Sequence, residues 1–218
     1  MSNFAPLAVI YAGKPLLTPA RQPLSAPNQM VADAIVAEWE ALGDTKIQPH
    51  LLPMAGYAAL TIDLVIPQRA AVTEELLEYG ETDLLCYWGE EELAVIQQSQ
   101  WQPWITWAEK RFGTHYHLGT GIVPVAQPSP NSLKHQAAMA ALSPWQLACL
   151  AAVVKPATSL ILGLAFVHHA LNADELFHLS RLEEEYNIEH WGLEEEAEER
   201  ANNLLRDLQA AERWRDLL

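Results

Sequence analysis

Apolar residues recur with a helical period along most of the chain, but the first thirty residues lack that period. Residues 7–11 form a β-prone run, and prolines at positions 15, 19, 23 and 27 disfavour a helix in this region. The pattern therefore predicts short strands or extended edge segments. From Asn28, a residue suited to capping a helix, apolar residues spaced about 3.6 apart predict a helix that ends at Gly43.

The rest of the pattern predicts mainly helices. Their expected spans are residues 55–64, 67–80, 90–112, 129–141, 143–154, 157–170, 172–190 and 193–216. Residues 82–88 form a short apolar run that fits either a buried strand or a helical turn. Residues 115–118 and 122–125 form a second extended patch, which we expect to join the N-terminal strands in a small sheet.

These elements predict an α+β fold. A small strand-rich N-terminal domain with helices spans residues 1–127, and an all-helical C-terminal domain spans residues 128–218. Three tryptophans of the helix at 90–112, Trp101, Trp104 and Trp107, form roughly one stripe. Most tryptophans are expected in the core, and an exposed stripe would be a protein-binding hot spot.

Charge narrows the classes of partner. The formal net charge is -15, and residues 172–218 hold 14 of the 28 acids but only five of the 13 basic residues. Because binding to phosphates needs a basic surface, we expect no nucleic-acid partner and no anionic membrane partner. The apolar runs are too short to span a bilayer, and the first residues lack the basic and apolar regions of a signal peptide. We therefore expect a soluble, intracellular protein without membrane insertion.

Residues that carry chemistry are sparse. The chain has no glycine-rich phosphate loop and no Gly-x-Ser-x-Gly turn. Cys86 and Cys149 lie far apart in apolar runs, so we predict buried thiols. Metal ligation has two weak candidates. His115 and His117 share one face of a strand if that segment is extended, whereas His168 and His169 point about 100° apart on a helix and do not easily share an ion. We predict no catalytic residue, no metal site and no cofactor.

The segment 180–192 is the most distinctive part of the chain, because it combines three consecutive glutamates with large aromatic residues. Leu182, Tyr186 and Glu189 share one side of the predicted helix. Residues 183–185 project over most of the remaining circumference, and Gly192 occupies a C-cap position. Apolar residues on this segment are expected to hold it to the core: Leu179, Leu182, Tyr186 and Trp191.

Three glutamate runs have different interpretations. The runs at 90–92 and 194–196 fall in the first turns of predicted helices, where the helix dipole favours them. The run at 183–185 is predicted to lie in the middle of a helix, where the dipole contributes little. This run is therefore either a solvated face or a contact surface for a basic partner.

Several motifs in a fixed order resemble the assembly chaperones of F-type ATP synthase that handle the α subunit of the catalytic head. The resemblance covers about residues 9–218. It is carried by the segments 13–20, 23–24, 34–39, 62–63, 82–87, 101–103 and 107–113, and most closely by 180–186 through 191–192.

The resemblance implies a chaperone without enzymatic activity, which has a strand-rich N-terminal domain and a helical C-terminal domain. It would bind the ATP synthase α subunit before assembly and shield its interface. We expect a monomer when free, in the cytoplasm of a bacterium or in the mitochondrial matrix of a eukaryote. The residues expected to bind the partner are Glu183, Glu184, Glu185 and Glu189.

Two other functions remain open from the sequence. A carboxylate-based hydrolase would need a concave pocket in which two acids converge. A generic protein-interaction module would use the same acidic segment with a different partner.

Overall fold

A computed structural model of the chain describes residues 6–43, 45–121, 125–192 and 195–218. The fold is α+β, with short strands near the N-terminus followed by helices, as predicted. The strands are β1 Leu7–Ala8, β2 Ile10–Tyr11, β3 Lys14–Pro15, β4 Ser25–Ala26, β5 Tyr87–Trp88 and β6 Gly119–Thr120. The helices are α1 Gln29–Leu42, α2 Pro53–Leu60, α3 Arg69–Glu81, α4 Glu91–Phe112, α5 Pro130–Ala140, α6 Pro144–Ala157, α7 Leu160–Val167, α8 Ala173–Ser180, α9 Leu182–Trp191 and α10 Glu195–Asp216.

The strands pair two by two within the described residues. β1 pairs with β4 and β2 with β3, both antiparallel, and β5 pairs with β6 in parallel. The prediction that the second extended patch joins the N-terminal strands is wrong, because β6 pairs with β5 instead. The N-terminal strands already pair with each other. The patch therefore pairs with the end of the apolar run at 82–88, where Gly121 N also donates to Trp88 O at 2.9 Å. Residues 122–124 of this patch lie outside the described residues.

Helices α6 and α7 form the centre of the core. Every residue of α7 is buried, and α6 contacts α2, α3, α7, α8 and α10. The two helices approach closely at Gly163, where an added Cβ would lie 2.3 Å from Val154 Cγ2. Helices from both sides of residue 127 contact one another here, and the division into two domains at that residue stays a prediction.

Helix α10 closes the core against the N-terminal helices. Trp214 is fully buried, its Nε1 donates to Trp145 O at 3.2 Å, and its ring stacks on Tyr57. Asn28 accepts a hydrogen bond from Val31 N and so caps α1, as predicted. The same side chain donates to Leu217 O at 2.7 Å. One residue therefore both begins α1 and joins it to the segment after α10.

A buried carboxylate fixes the beginning of α7. Asp83 accepts hydrogen bonds from Leu85 N, Ser159 Oγ and Ile161 N at 3.1, 2.7 and 2.9 Å. Burial raises the pKa of Asp83 to about 6, although the hydrogen bonds partly oppose that rise. This side chain ties the 3-10 turn Leu84–Cys86 to α7, a structural role that the sequence did not reveal.

The helix predicted over residues 172–190 is two helices. Asn172 and Glu175 form a reciprocal cap at the start of α8, and α8 ends at Ser180. Arg181 then leaves the helical conformation, with φ -116° and ψ 13°, and α9 begins at Leu182. The break matters for function, because it moves the glutamates at 183–185 from the middle of a helix to its first turn.

Candidate protein-binding surface

Helix α9 lies on the surface of the molecule. None of its residues is buried, and it packs mainly against α4 and α8. Its first turn carries Glu183, Glu184 and Glu185, where the positive end of the helix dipole stabilises negative charge. The prediction of a mid-helix run is therefore wrong, and the dipole favours all three carboxylates.

Arg181 holds the beginning of α9. Its side chain is buried, and its guanidinium lies 4.8 Å from the centre of the Phe177 ring. Two of its nitrogens contact the Glu184 carboxylate, Nε at 2.9 Å and Nη2 at 2.8 Å. The hydrogen bond from Arg181 lowers the pKa of Glu184. Arg181 thus joins the end of α8 to the first turn of α9.

The structure separates the four predicted partner-binding acids into two pairs. Glu184 contacts Arg181, and Glu185 Oε1 lies 2.9 Å from His178 Nδ1. Glu183 and Glu189 are exposed and have no ion-pair partner among the described residues. Because these two acids lie six positions apart, they project about 120° from each other around the helix. The four carboxylates therefore do not form one face.

An aromatic cluster ends the helix. The rings of Tyr186 and His190 lie 4.1 Å apart, and His190 Nδ1 donates to Tyr186 O at 2.8 Å. Trp191 is 77% exposed, so the prediction that it holds the helix to the core is wrong. The prediction of a C-cap glycine is confirmed, because Gly192 has φ +90° and its N–H donates to Ile188 O. The aromatic cluster leaves one large indole in solvent.

The tryptophan stripe of α4 faces inward instead. Trp101 is fully buried, and its Nε1 donates to Leu179 O at 2.9 Å. Trp104 and Trp107 are half-buried against the core. The stripe is therefore mainly a packing surface, and its contact with α8 positions the residues that lead into Arg181.

A small cavity lies between α4 and α8, beside the start of α9. Its volume is about 350 Å³. Trp104, Leu179 and Leu182 provide apolar walls, and Asp174 and Glu175 lie among its polar lining residues. The sequence did not reveal this cavity, because its residues come from three helices whose packing is not encoded by local spacing.

The structure places the two cysteines and the histidines at 115 and 117 in different surroundings. Cys86 and Cys149 are buried free thiols, as predicted, and burial raises the pKa of Cys149 to about 12. His115 contacts Glu109, and His117 contacts the carbonyl of Ala126. In the described part of the chain, no three or more histidine, cysteine, aspartate or glutamate side chains are grouped as a metal site.

A carboxylate-based hydrolase needs two acids in one pocket, and the cavity beside α9 has Asp174 and Glu175 in its lining, whereas three larger cavities have one carboxylate each. One, of about 540 Å³ between α2, α6 and α10, has Asp207 as its single carboxylate. A second, of about 480 Å³ between α3 and α5, has Glu81 as its single carboxylate. A third, of about 620 Å³ between the same two helices, has Glu74. Within the described ranges, no helix combines the length and apolar character needed to cross a membrane.

Comparisons with known proteins agree on one family. Residues 5–109 match the family model of the ATP12 chaperone protein. The crystal structure of Atp12 from Paracoccus denitrificans is 37% identical, with a TM-score of 0.88, over 94% of this chain and 88% of that one. An aspartate-to-lysine variant of the same organism's Atp12p is 38% identical with the same TM-score and coverage.

A curated relative extends the comparison to eukaryotes. Mitochondrial protein atp12 of Schizosaccharomyces pombe is 24% identical over 208 residues, which are 89% of this chain and 72% of the relative. The shared fold spans nearly the whole chain. The chain belongs to the ATP12 chaperone family, the ATP synthase assembly chaperones that its ordered motifs resemble.

Proposed function

We propose that this chain binds the unassembled α subunit of the F-type ATP synthase catalytic head and shields its interface until assembly. Membership of the ATP12 chaperone family supports the wider role in ATP synthase assembly. An unassembled subunit exposes apolar surface that aggregates unless another protein covers it. The proposed chaperone acts by binding alone and catalyses no reaction. Its proposed location is the bacterial cytoplasm or the mitochondrial matrix.

One observation carries the proposal. Helix α9 has no buried residue, yet Arg181 and Gly192 fix both of its ends. It presents an exposed Trp191 together with the unpaired acids Glu183 and Glu189. A fixed helix that displays an indole and free carboxylates is typical of a protein-binding surface, in which the aromatic residue supplies affinity and charge guides association.

The four acids then have two roles. Glu183 and Glu189 contact basic groups of the partner directly. Glu184 and Glu185 hold the helix in place through their contacts with Arg181 and His178. They contact the partner only at the edge of the surface that α9 presents. Because the two free acids project in different directions, the partner reaches around the helix and does not lie on a single face.

Charge reversal tests this assignment. We expect Glu183→Lys and Glu189→Lys each to weaken binding to the purified α subunit about tenfold, mainly through slower association. Isothermal calorimetry and stopped-flow kinetics measure the two quantities. Because both side chains are exposed, Glu189→Lys should change the free energy of unfolding by less than about 0.5 kcal/mol. Glu183→Lys should lower it by about 1 kcal/mol, because a cation replaces an acid in the first turn of α9.

Glu78→Lys is the matched control, since Glu78 is an exposed acid of α3 and the change in net charge is the same. It should bind the α subunit as the wild type does. The proposal fails if the wild-type chain does not bind the α subunit. The assignment of Glu183 fails if Glu183→Lys unfolds the protein or leaves binding unchanged.

A further inference from the structure

We propose that the cavity between α4 and α8 is a pocket for one arginine side chain of the bound partner. The inference rests on the proposed function, because it names a contact that the partner would make beside α9. Its volume of about 350 Å³ lies at the small end of ligand pockets, which span about 300–1,000 Å³. The cavity therefore has room for an arginine side chain, but it is too small for a helix or a strand.

The walls of this cavity suit both the methylene groups and the planar guanidinium group of an arginine side chain. Trp104, Leu179 and Leu182 line it, and Trp104 is half-buried, so part of its indole is accessible. An arginine stacks its planar cation on an indole and packs its methylenes on leucine side chains. Lysine has a compact, strongly hydrated charge and gains less from such a wall.

The carboxylates of the cavity are held in place but retain free acceptors. Asp174 Oδ1 accepts from Gln209 Nε2 at 3.2 Å, and Glu175 Oε2 accepts from Asn172 N at 2.9 Å. Within the described residues, the second oxygen of each carboxylate has no donor. Each acid is thus positioned by one oxygen, and the other remains available to a guanidinium N–H.

The basic side chains near the cavity already contact acids of α9. His178 is the one basic side chain among the lining residues of the described chain, and its Nδ1 contacts Glu185. The guanidinium of Arg181 lies against Phe177 and Glu184. The cavity therefore presents two acids that have no ion-pair partner among the described residues, beside an aromatic wall, and this arrangement complements a cation. Leu182 belongs both to the cavity and to α9, so an arginine bound here would lie next to the proposed partner-binding acids.

Titration with a small probe tests the pocket without the partner. The full chain is titrated with N-acetyl-L-arginine amide while the tryptophan indole N–H signals are followed by NMR, the Trp104 signal being identified with Trp104→Phe. The uncharged analogue N-acetyl-L-citrulline amide is the control ligand. We expect the arginine probe to shift the Trp104 signal at least five times more than the citrulline probe. Equal shifts, or no shift at Trp104, would overturn the inference.

The double variant Asp174→Asn, Glu175→Gln removes the two charges and keeps the helix cap, because glutamine also serves in a capping box. Its shift with the arginine probe should fall at least fivefold. The matched variant Glu74→Gln, Glu78→Gln removes two exposed charges of α3 and should respond as the wild type does.

Binding to the purified α subunit then separates the two proposals. We expect the Asp174→Asn, Glu175→Gln variant to bind about tenfold more weakly than the wild type, and the α3 variant to bind equally well. If the double variant retains full affinity, the pocket inference is wrong while the proposed function stands. If the wild type itself does not bind, the proposed function is wrong, and the arginine titration still decides whether the cavity accepts a guanidinium group.

Discussion

Helices α7 and α9 have similar lengths and both begin beside a carboxylate, but their surroundings are opposite. All eight residues of α7 are buried, whereas none of the ten residues of α9 is. Asp83, which is distant in sequence, supplies the carboxylate for α7, whereas α9 carries its own acids in its first turn. The comparison shows that an acid at a helix N-terminus can have different roles. At α7 it stabilises a helix packed in the core, and at α9 it lies on a helix that is exposed to a partner.

The two carboxylates respond to their environments in opposite directions. Burial raises the pKa of Asp83 to about 6, whereas the hydrogen bond from Arg181 lowers the pKa of Glu184. Desolvation decides the first case and a neighbouring cation decides the second. We therefore expect substitutions near α7 to change stability, and substitutions on α9 to change binding.

The largest effect should follow from Asp83→Ala. The substitution leaves Leu85 N, Ser159 Oγ and Ile161 N without their acceptor inside the core. Since each buried unpaired donor costs about 1–3 kcal/mol, the free energy of unfolding should fall by about 3–5 kcal/mol. Urea denaturation measures it, with Glu78→Ala as the exposed-acid control. A loss below about 1 kcal/mol would contradict the role assigned to Asp83.

A smaller effect, with a defined pH dependence, should follow from Asp83→Asn. The pKa of Asp83 is about 6 when folded and near its ordinary value of 3.8 when unfolded. Between these values the folded chain binds more protons, so the free energy of unfolding falls as pH rises from about 4 to about 6. We expect the wild-type value minus the Asp83→Asn value to fall by roughly 3 kcal/mol across that range.

Urea denaturation at several pH values measures this difference. Glu184, with a lowered pKa, stabilises the fold less as pH falls, but it is present in both proteins and cancels. A difference that stays flat, or that rises with pH, would show that Asp83 is not the group that titrates.

The smallest of these effects should come from glycine substitution. Gly163→Ala places a methyl group 2.3 Å from Val154 Cγ2 and 3.1 Å from Leu150 Cδ1, so we expect a loss of about 1–3 kcal/mol. Gly56→Ala in α2 is the matched control, because its Cβ would meet no atom. Alanine favours a helix, so that variant should be neutral or up to about 1 kcal/mol more stable. Thermal denaturation compares the two, and equal stability would refute close packing of α6 on α7.

Local sequence signals were sufficient for much of the fold. The period of apolar residues, with Asn28 and Gly43 at its ends, predicted α1, and the period over residues 90–112 predicted α4 nearly to the residue. The buried state of both thiols also followed from their apolar neighbours. These features are determined by residues close together in the chain, so they can be predicted from the pattern of a single sequence.

The errors concern side-chain contacts and burial, which the period of apolar residues does not record. The helical period runs through Arg181, whereas the structure leaves the helical conformation there and places the Arg181 side chain against Phe177 and Glu184. Trp191 is an aromatic residue at an apolar spacing, but the core ends before it. Four acids close in sequence suggested one contact group, whereas helix geometry and the partners of Glu184 and Glu185 separate them.

The contact of Asn28 with Leu217, and the place of Trp214 between Tyr57 and Trp145, have a consequence for synthesis. A ribosome that has delivered the chain only through α9 has not yet delivered the helix that covers one side of α2 and α6. The nascent polypeptide therefore keeps part of its own interior uncovered until translation of α10 is finished. A protein proposed to shield the apolar surface of another protein thus exposes apolar surface of its own during synthesis.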